Sequence, residues 1–232
     1  MITCCNLISG CIALVFALVG DYPMALLFIV GGAVFDFFDG LAARLLGVSS
    51  PIGKELDSLA DDVTFGVAPS AMLFDFLCTA EWPSVLIPIN GALPWLAFIM
   101  AAFSALRLAK FNLDERQALG FIGLPTPANA LFWGALIVGG EESLLFSVWA
   151  APLILIGCFV SCYLLVSEIP MFALKFKSWG WKGNEVKFIF LLTCIPMLLL
   201  FGIGGLAAII AWYVILSIAT NKLPPKKANP QC

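Results

Sequence analysis

Histidine is absent from this 232-residue chain, and charge of either sign is scarce, with 12 basic and 15 acidic side chains. Without histidine, the usual imidazole ligand for zinc or haem and the usual proton-transfer group near neutral pH are both missing. The eight cysteines include no Cys-x-x-Cys pair. Cys4, Cys5, Cys11, Cys158, Cys162 and Cys194 fall in or beside apolar stretches and read as small apolar fillers rather than metal ligands. Long polar segments are also lacking; the longest connection is about 167–186. Disordered and nucleic-acid-binding classes are therefore excluded. What is plentiful is apolar surface: 62% of residues, with a mean hydropathy of +1.03, against about 45–50% in average soluble domains. Too few polar residues remain to cover a water-soluble globule. The apolar runs are continuous rather than alternating, which excludes a transmembrane barrel. The composition predicts an all-α integral membrane protein forming one membrane-embedded domain over 1–232.

At about 20 residues per span, hydropathy marks eight transmembrane stretches, near 2–20, 24–47, 54–78, 88–110, 124–139, 144–166, 187–201 and 203–221. The first lacks a basic leader and a small-residue cleavage site before Asp21, so it reads as a span and not a signal peptide. The basic residues test the count. Arg44 and Lys54 follow the second span, and Arg107, Lys110 and Arg116 follow the fourth. Lys175, Lys177, Lys182 and Lys187 follow the sixth, and Lys222, Lys226 and Lys227 follow the eighth. All fall on one side, which the positive-inside rule makes cytoplasmic, together with both termini. The opposite connections carry only Asp21, Glu81, Glu141 and Glu142. The expected location is the inner, or cytoplasmic, membrane of a bacterium. The aromatic-basic run Lys175 to Trp181 reads as an interfacial anchor.

Four acids sit where solubility logic would not put them: Asp36, Asp39, Asp57 and Asp61. An aspartate at mid-span costs about 2.5–3.5 kcal/mol, so four cost on the order of 10 kcal/mol unless compensated. At about 100° per residue, Asp39 lies about 60° from Asp36, with Gly40 and Ala43 on the same face and Arg44 at its edge. In the next span Asp57 and Asp61 are about 40° apart, with Gly53 on their flank. Two helices facing each other across the turn at 45–53 would form a four-carboxylate cluster near the cytoplasmic end. Such a cluster suits hard divalent cations, Mg²⁺, Mn²⁺ or Ca²⁺. Two of them would clamp a diphosphate for in-line displacement at phosphorus, and Arg44 is placed to meet phosphate oxygens. A structural cation site or the proton relay of an ion-coupled transporter remains open on spacing alone. Asp62, about 100° from Asp61, falls off the shared face.

These residues fit the pattern D-x-x-D-G-x-x-A-R followed by G-x-x-x-D-x-x-x-D at Asp36, Asp39, Gly40, Ala43, Arg44, Gly53, Asp57 and Asp61. The pattern resembles the signature of the CDP-alcohol phosphotransferases, integral membrane enzymes that move a phosphatidyl-type group from a CDP-linked lipid to an alcohol and release CMP. The resemblance implies a six-helix core with the last two spans, about 187–221, as additions. It implies two divalent cations, Mg²⁺ or Mn²⁺, on Asp36, Asp39, Asp57 and Asp61, with Asp61 also the catalytic base. It further implies contacts from Gly40, Ala43, Arg44, Ser50 and Gly53 to the CDP-lipid, and a homodimer. Gly202, Gly204 and Gly205 are small residues suited to helix contact in such a pair.

Three further stretches are similar to the serine-using branch of that family. Residues 2–10 follow I-T-x-x-N-L-x-x-G, residues 107–112 follow R-L-A-R-F-N with Lys110 in place of an Arg, and residues 121–128 follow F-x-G-L-P-S-P-A. The first motif begins at residue 2, short of the leader usual in the family. This likeness implies transfer of a phosphatidyl group from CDP-diacylglycerol to L-serine by single displacement. Thr3 and Asn6 are expected either to cap the first helix or to contact the CDP-lipid. Arg107 and Lys110 either obey the positive-inside rule or meet the serine carboxylate. Gly123 to Pro127 reads as a helix start with Pro in its first turn. A sister enzyme using glycerol 3-phosphate or inositol is the nearest alternative. Membrane lipids are the expected surroundings, and no nucleic-acid partner is expected.

Overall fold

Asp21 accepts the Met24 amide at 3.1 Å and Pro23 lies in the first turn, so a helix starts there with its free donors satisfied. The same helix ends at Gly47, whose φ of 63° allows the left-handed cap that returns its N–H to the Ala43 carbonyl. In the computed structural model this helix is α2, Tyr22–Leu46. The structure describes residues 2–47, 50–113, 121–145, 147–171 and 184–220. Arg116, Lys175, Lys177, Lys182, Lys222, Lys226, Lys227 and the run 175–181 lie outside them.

Helix α1, Ile2–Leu18, precedes α2. Helix α3, Pro51–Asp62, passes through a π-helical turn, Val63–Val67, into α4, Ala68–Thr79, as one continuous rod. Two short 3₁₀ turns, Ile87–Ile89 and Leu93–Phe98, lead into α5, Ile99–Leu113. Then come β1, Phe121–Ile122, α6, Thr126–Leu145, α7, Ala150–Val166, β2, Pro170–Met171, α8, Glu185–Phe201, and α9, Gly204–Thr220. With α3 and α4 counted as one rod, the described residues hold eight helical segments, each overlapping one of the eight apolar stretches. The molecule is mostly helical. The two-residue strands pair antiparallel, Phe121 opposite Met171.

Two details differ from the hydropathy reading. The fourth segment is not α-helical at its start: Pro88 and Pro94 remove backbone donors, and the chain takes 3₁₀ turns up to Phe98. The fifth runs to Leu145 instead of ending near 139, because Glu141 and Glu142 do not interrupt the backbone bonding of α6. Pro127 does lie in the first turn of α6, as the sequence suggests.

Two helices are long and apolar enough to cross a membrane, Tyr22–Leu46 and Leu93–Leu113. Large apolar side chains face outward in quantity; on α8, Leu192 is 72%, Leu199 81% and Leu200 76% exposed. A water-facing surface would not carry this load.

The packing that positions the site centres on Thr64, fully buried in the π turn. Its hydroxyl donates to the Asn6 carbonyl of α1 at 3.1 Å. A Cβ on Gly10 would lie 2.8 Å from the Thr64 Cα, and one on Gly32 would lie 2.9 Å from Asn6 Oδ1. Glycine at these positions is what lets α1, α2 and the α3–α4 rod converge. Farther along, Gly139 of α6 packs directly on the backbone of Gly204 of α9, and Gly205 packs on Met197 and Leu198 of α8. Gly204 and Gly205, read from sequence as contacts for a second copy, are thus used within the chain.

Gly10→Ala is expected to destabilise the detergent-solubilised protein by about 1–3 kcal/mol through overpacking against Thr64. Gly91→Ala, with open space around its Cβ position, should leave the thermal midpoint nearly unchanged. Thermal unfolding of the two variants side by side checks this.

Candidate active site

Helices α2 and α3 make almost no direct contact with each other, whereas α1 lies against both. The result is a cleft between α2 and α3 with α1 as its floor. The C-terminal half of α2 lines one wall and brings Asp36, Asp39, Gly40, Ala43 and Arg44. Helix α3 lines the other with Gly53, Asp57 and Asp61 along its length. Ser50 caps α3 by accepting the Gly53 amide at 3.0 Å, and Pro51 fixes the first turn.

Carboxylate oxygens of Asp36, Asp57 and Asp61 all lie within 4.8 Å of one another. None of the three is fully exposed. Asp39 stands just outside this trio, near enough to act electrostatically on Asp36 and Asp57. Like charges at such distances repel strongly where water is scarce. No lysine or arginine forms an ion pair with the trio among the described residues; Arg107 is the cation whose field reaches Asp61. A group of oxygen-only donors with this surplus of negative charge fits a hard divalent cation.

Helix α1 braces the cluster. Thr3 donates its hydroxyl to Asp39 Oδ2, and Asn6 donates its amide to Asp61 Oδ1 at 2.9 Å. Both are buried, Asn6 completely. The sequence allows helix capping or contact with the CDP-lipid for these two; in the structure each side chain holds one carboxylate from a different wall. Because the Asn6 carbonyl is itself tied to Thr64, the Asp61 contact is fixed from both sides.

Arg44, in the last turn of α2, donates its Nε to the Gly40 carbonyl at 2.9 Å and is otherwise exposed. A Cβ on Gly40 would meet nothing within 4 Å, and Ala43 is exposed, so this face of α2 is open to a large ligand. A Cβ on Gly53 would lie 2.8 Å from Ser50 Oγ, which ties that glycine to the cap of α3.

The two basic residues of α5 part company. Arg107 is buried, stacks on the Phe111 ring at 5.1 Å and reaches Thr126 Oγ1 at 3.5 Å. Lys110 is exposed. The same stretch contains a residue the sequence reading passed over, Asn112. It donates to Ser58 Oγ at 2.8 Å and accepts Lys54 Nζ on its carbonyl at 2.9 Å, so it ties the end of α5 to α3. Its place in the 107–112 motif was the available signal. Gly123, at φ 75°, is another anchor: its N–H bonds the Ile169 carbonyl at 2.8 Å, and a Cβ there would lie 2.8 Å from the Leu165 carbonyl. The 121–128 motif thus docks the start of α6 on the end of α7.

Comparison with known proteins agrees with this geometry. The model of the CDP-alcohol phosphatidyltransferase family matches residues 1–138. The CDP-diacylglycerol--serine O-phosphatidyltransferase of Bacillus subtilis (strain 168) is 38% identical over 169 residues, covering 73% of this chain and 86% of that protein. The enzyme of the same name from Helicobacter pylori (strain ATCC 700392 / 26695) is 27% identical over 229 residues, covering 94% of this chain and 88% of that protein. One from Mycobacterium bovis is 32% identical over 180 residues, but the alignment spans only 58% of that longer protein. The matched segment contains the cleft, its α1 floor, and both Arg107 and Thr126, and the chain belongs to the CDP-alcohol phosphatidyltransferase family.

Proposed function

We propose that the protein transfers a phosphatidyl group from CDP-diacylglycerol to the hydroxyl of L-serine, yielding phosphatidylserine and CMP. The observation that carries this reading is the convergence of Asp36, Asp57 and Asp61 from two helices, with Asp61 fixed by Asn6. The names of the relatives supply the acceptor.

In this reading the chain crosses a bacterial cytoplasmic membrane eight times, with the cleft and both termini on the cytoplasmic side. The support is the one-sided distribution of lysine and arginine. The acyl chains of the donor stay in the bilayer while its head enters between α2 and α3. The open face at Gly40 and Ala43 receives the CDP part, and Arg44 pairs with diphosphate oxygens through its planar fork. Thr3 acts through Asp39, Asn6 through Asp61, and the Ser50 cap with Gly53 fixes the start of the second wall.

Asp36, Asp39, Asp57 and Asp61 would hold two divalent cations, Mg²⁺ or Mn²⁺. Bound there, such cations supply charge neutralisation for the diphosphate and for the CMP leaving group. Asp61 accepts the serine hydroxyl proton. The serine oxygen forms a bond to the β-phosphorus as the bond from that phosphorus to the bridging oxygen breaks, and CMP departs with the electron pair. Arg107 pairs with the serine carboxylate, and Lys110, at the exposed end of α5, draws the anionic end of the amino acid toward the cleft. Single displacement needs no covalent enzyme intermediate, and the cleft hydroxyls of Thr3 and Ser50 are engaged, Thr3 on Asp39 and Ser50 on the Gly53 amide. The family resemblance also brings a homodimer into this reading.

Purified protein in detergent, supplied with CDP-diacylglycerol, Mg²⁺ or Mn²⁺ and a panel of alcohols, should release CMP fastest with L-serine. No CMP with any acceptor overturns the reading. Asp61→Asn should lower that rate by about a hundred- to ten-thousand-fold while the thermal midpoint holds; full metal-dependent activity in this variant removes Asp61 as the base. Arg107→Ala should raise the KM for serine by about tenfold or more and the KM for the CDP-lipid far less. Equal changes in both would take Arg107 out of the serine pocket.

A further inference from the structure

Around Arg107 and one helical turn beyond it, three helices bury polar atoms that have no partner among the described residues. Asn129 of α6 is fully buried, with both its amide nitrogen and oxygen unpaired. Ser104 of α5 is fully buried with its hydroxyl unpaired, and Asp62, the last residue of α3, buries an unpaired Oδ1. The Nε of Arg107 is unpaired as well. Each such group in an apolar bundle costs about 1–3 kcal/mol unless something satisfies it.

These atoms come together. A Cβ on Gly66 would lie 2.6 Å from Asp62 Oδ1 and 2.9 Å from the Ser104 Cβ, so both side chains converge on the face of this glycine. Helix α5 runs antiparallel to the α3–α4 rod, with Asn112 beside Ser58, Ser104 beside Gly66 and Phe98 beside Phe74. Helix α6 starts at the level of Arg107, where Thr126 meets the guanidinium. It then packs along the π turn and α4. One turn up α6 from Thr126 is Asn129, and one turn back along α5 from Arg107 is Ser104. Opposed helices therefore put Asn129 and Ser104 at about the same level, with Asp62 one turn back along the rod and its Oδ1 directed toward Gly66.

The polar set has two ends. Arg107 is cationic and donates only; Asp62, on the facing helix near the level of Arg107, is a carboxylate that accepts. Asn129 and Ser104 can each accept or donate beside it. A small zwitterion, with its cationic and anionic groups on neighbouring carbons, carries the partner each of these groups lacks. We propose that Asp62, Ser104 and Asn129 form the subsite for the ammonium group of the acceptor amino acid, with Arg107 taking its carboxylate. Asp61, the preceding residue of α3 but turned about 100° toward the metal-binding face, then meets the hydroxymethyl group. The subsite rests on the serine reading above and adds how an amino acid is told from an alcohol of similar size that lacks the amine.

The test uses the full chain in detergent with CDP-diacylglycerol and two acceptors, L-serine and glycerate, in which a hydroxyl replaces the ammonium group. Wild-type CMP release with L-serine checks the parent reading before any variant is made; if serine is no substrate, that reading fails on its own. Given wild-type activity, Asp62→Asn should raise the KM for L-serine by about tenfold or more. The same variant should keep the CDP-diacylglycerol KM within about twofold and narrow the preference for L-serine over glycerate. Asn129→Leu and Ser104→Ala should move the serine KM the same way by smaller factors. They carry the comparison if Asp62→Asn does not accumulate, and Asp62→Glu should recover part of the serine preference. An unchanged serine KM in the folded variants, or an equal rise in both KM values, overturns the subsite.

Discussion

Everything near the cleft follows from repulsion between carboxylates held in apolar surroundings. Four aspartates on two helices favour separation of those helices. Direct packing of α2 on α3 would bring the charges closer still, and the structure avoids it: α1 contacts both, and they scarcely touch each other. The gap that repulsion imposes is also the gap a nucleotide-bearing lipid head needs. The open space around Gly40 belongs to the same geometry. A divalent cation held by such a cluster would offset this repulsion, so in the proposed reading cation binding and the stability of the cleft are linked.

A floor helix can brace such a cleft only if it approaches closely. Thr3 and Asn6 reach the acids because Gly10 and Gly32 remove side chains where α1, α2 and the π turn meet at Thr64. The π turn adds one residue to a helical turn. That shifts the face of the rod between α3, which shows carboxylates to the cleft, and α4, which buries Met72, Leu73 and Phe76 in the core. A regular α-helix over 51–79 would carry one face throughout. Acids and core in one rod are reconciled by that irregular turn.

Much of this was legible in the sequence, for a physical reason. Aspartates within apolar stretches are costly, so their spacing stands out from the rest of the chain. The eight apolar stretches overlap the eight helical segments because apolar run length is a strong signal. What the sequence did not disclose depends on contacts between elements far apart in the chain. Thr3 and Asn6 were visible as candidates, but their partners, 36 and 55 residues away, were not. Lys110 and Arg107 look alike in the chain; only packing shows that one is buried on Phe111 and the other exposed. Gly204 and Gly205 looked available to a second copy, and only the fold shows them against α6 and α8. Asn112 was passed over because a lone asparagine beside basic residues has no periodic signature.

Asp75 shows by contrast why the cleft acids are unusual. It too lies within a long apolar segment, yet it drew no attention in the sequence and needs no cation to account for it. It sits in the last turns of α4, where Tyr22 Oη donates to its carboxylate at 2.9 Å. A single acid near a helix end, with one good donor, is an affordable arrangement. Asp36, Asp57 and Asp61 share one side-chain donor, from Asn6, among the described residues. The difference lies in numbers: one acid is satisfied by a neighbouring hydroxyl, whereas three within 4.8 Å outnumber the donors the fold offers. That deficit is what the proposed cations would make up, whereas Asp75 and Tyr22 complete each other.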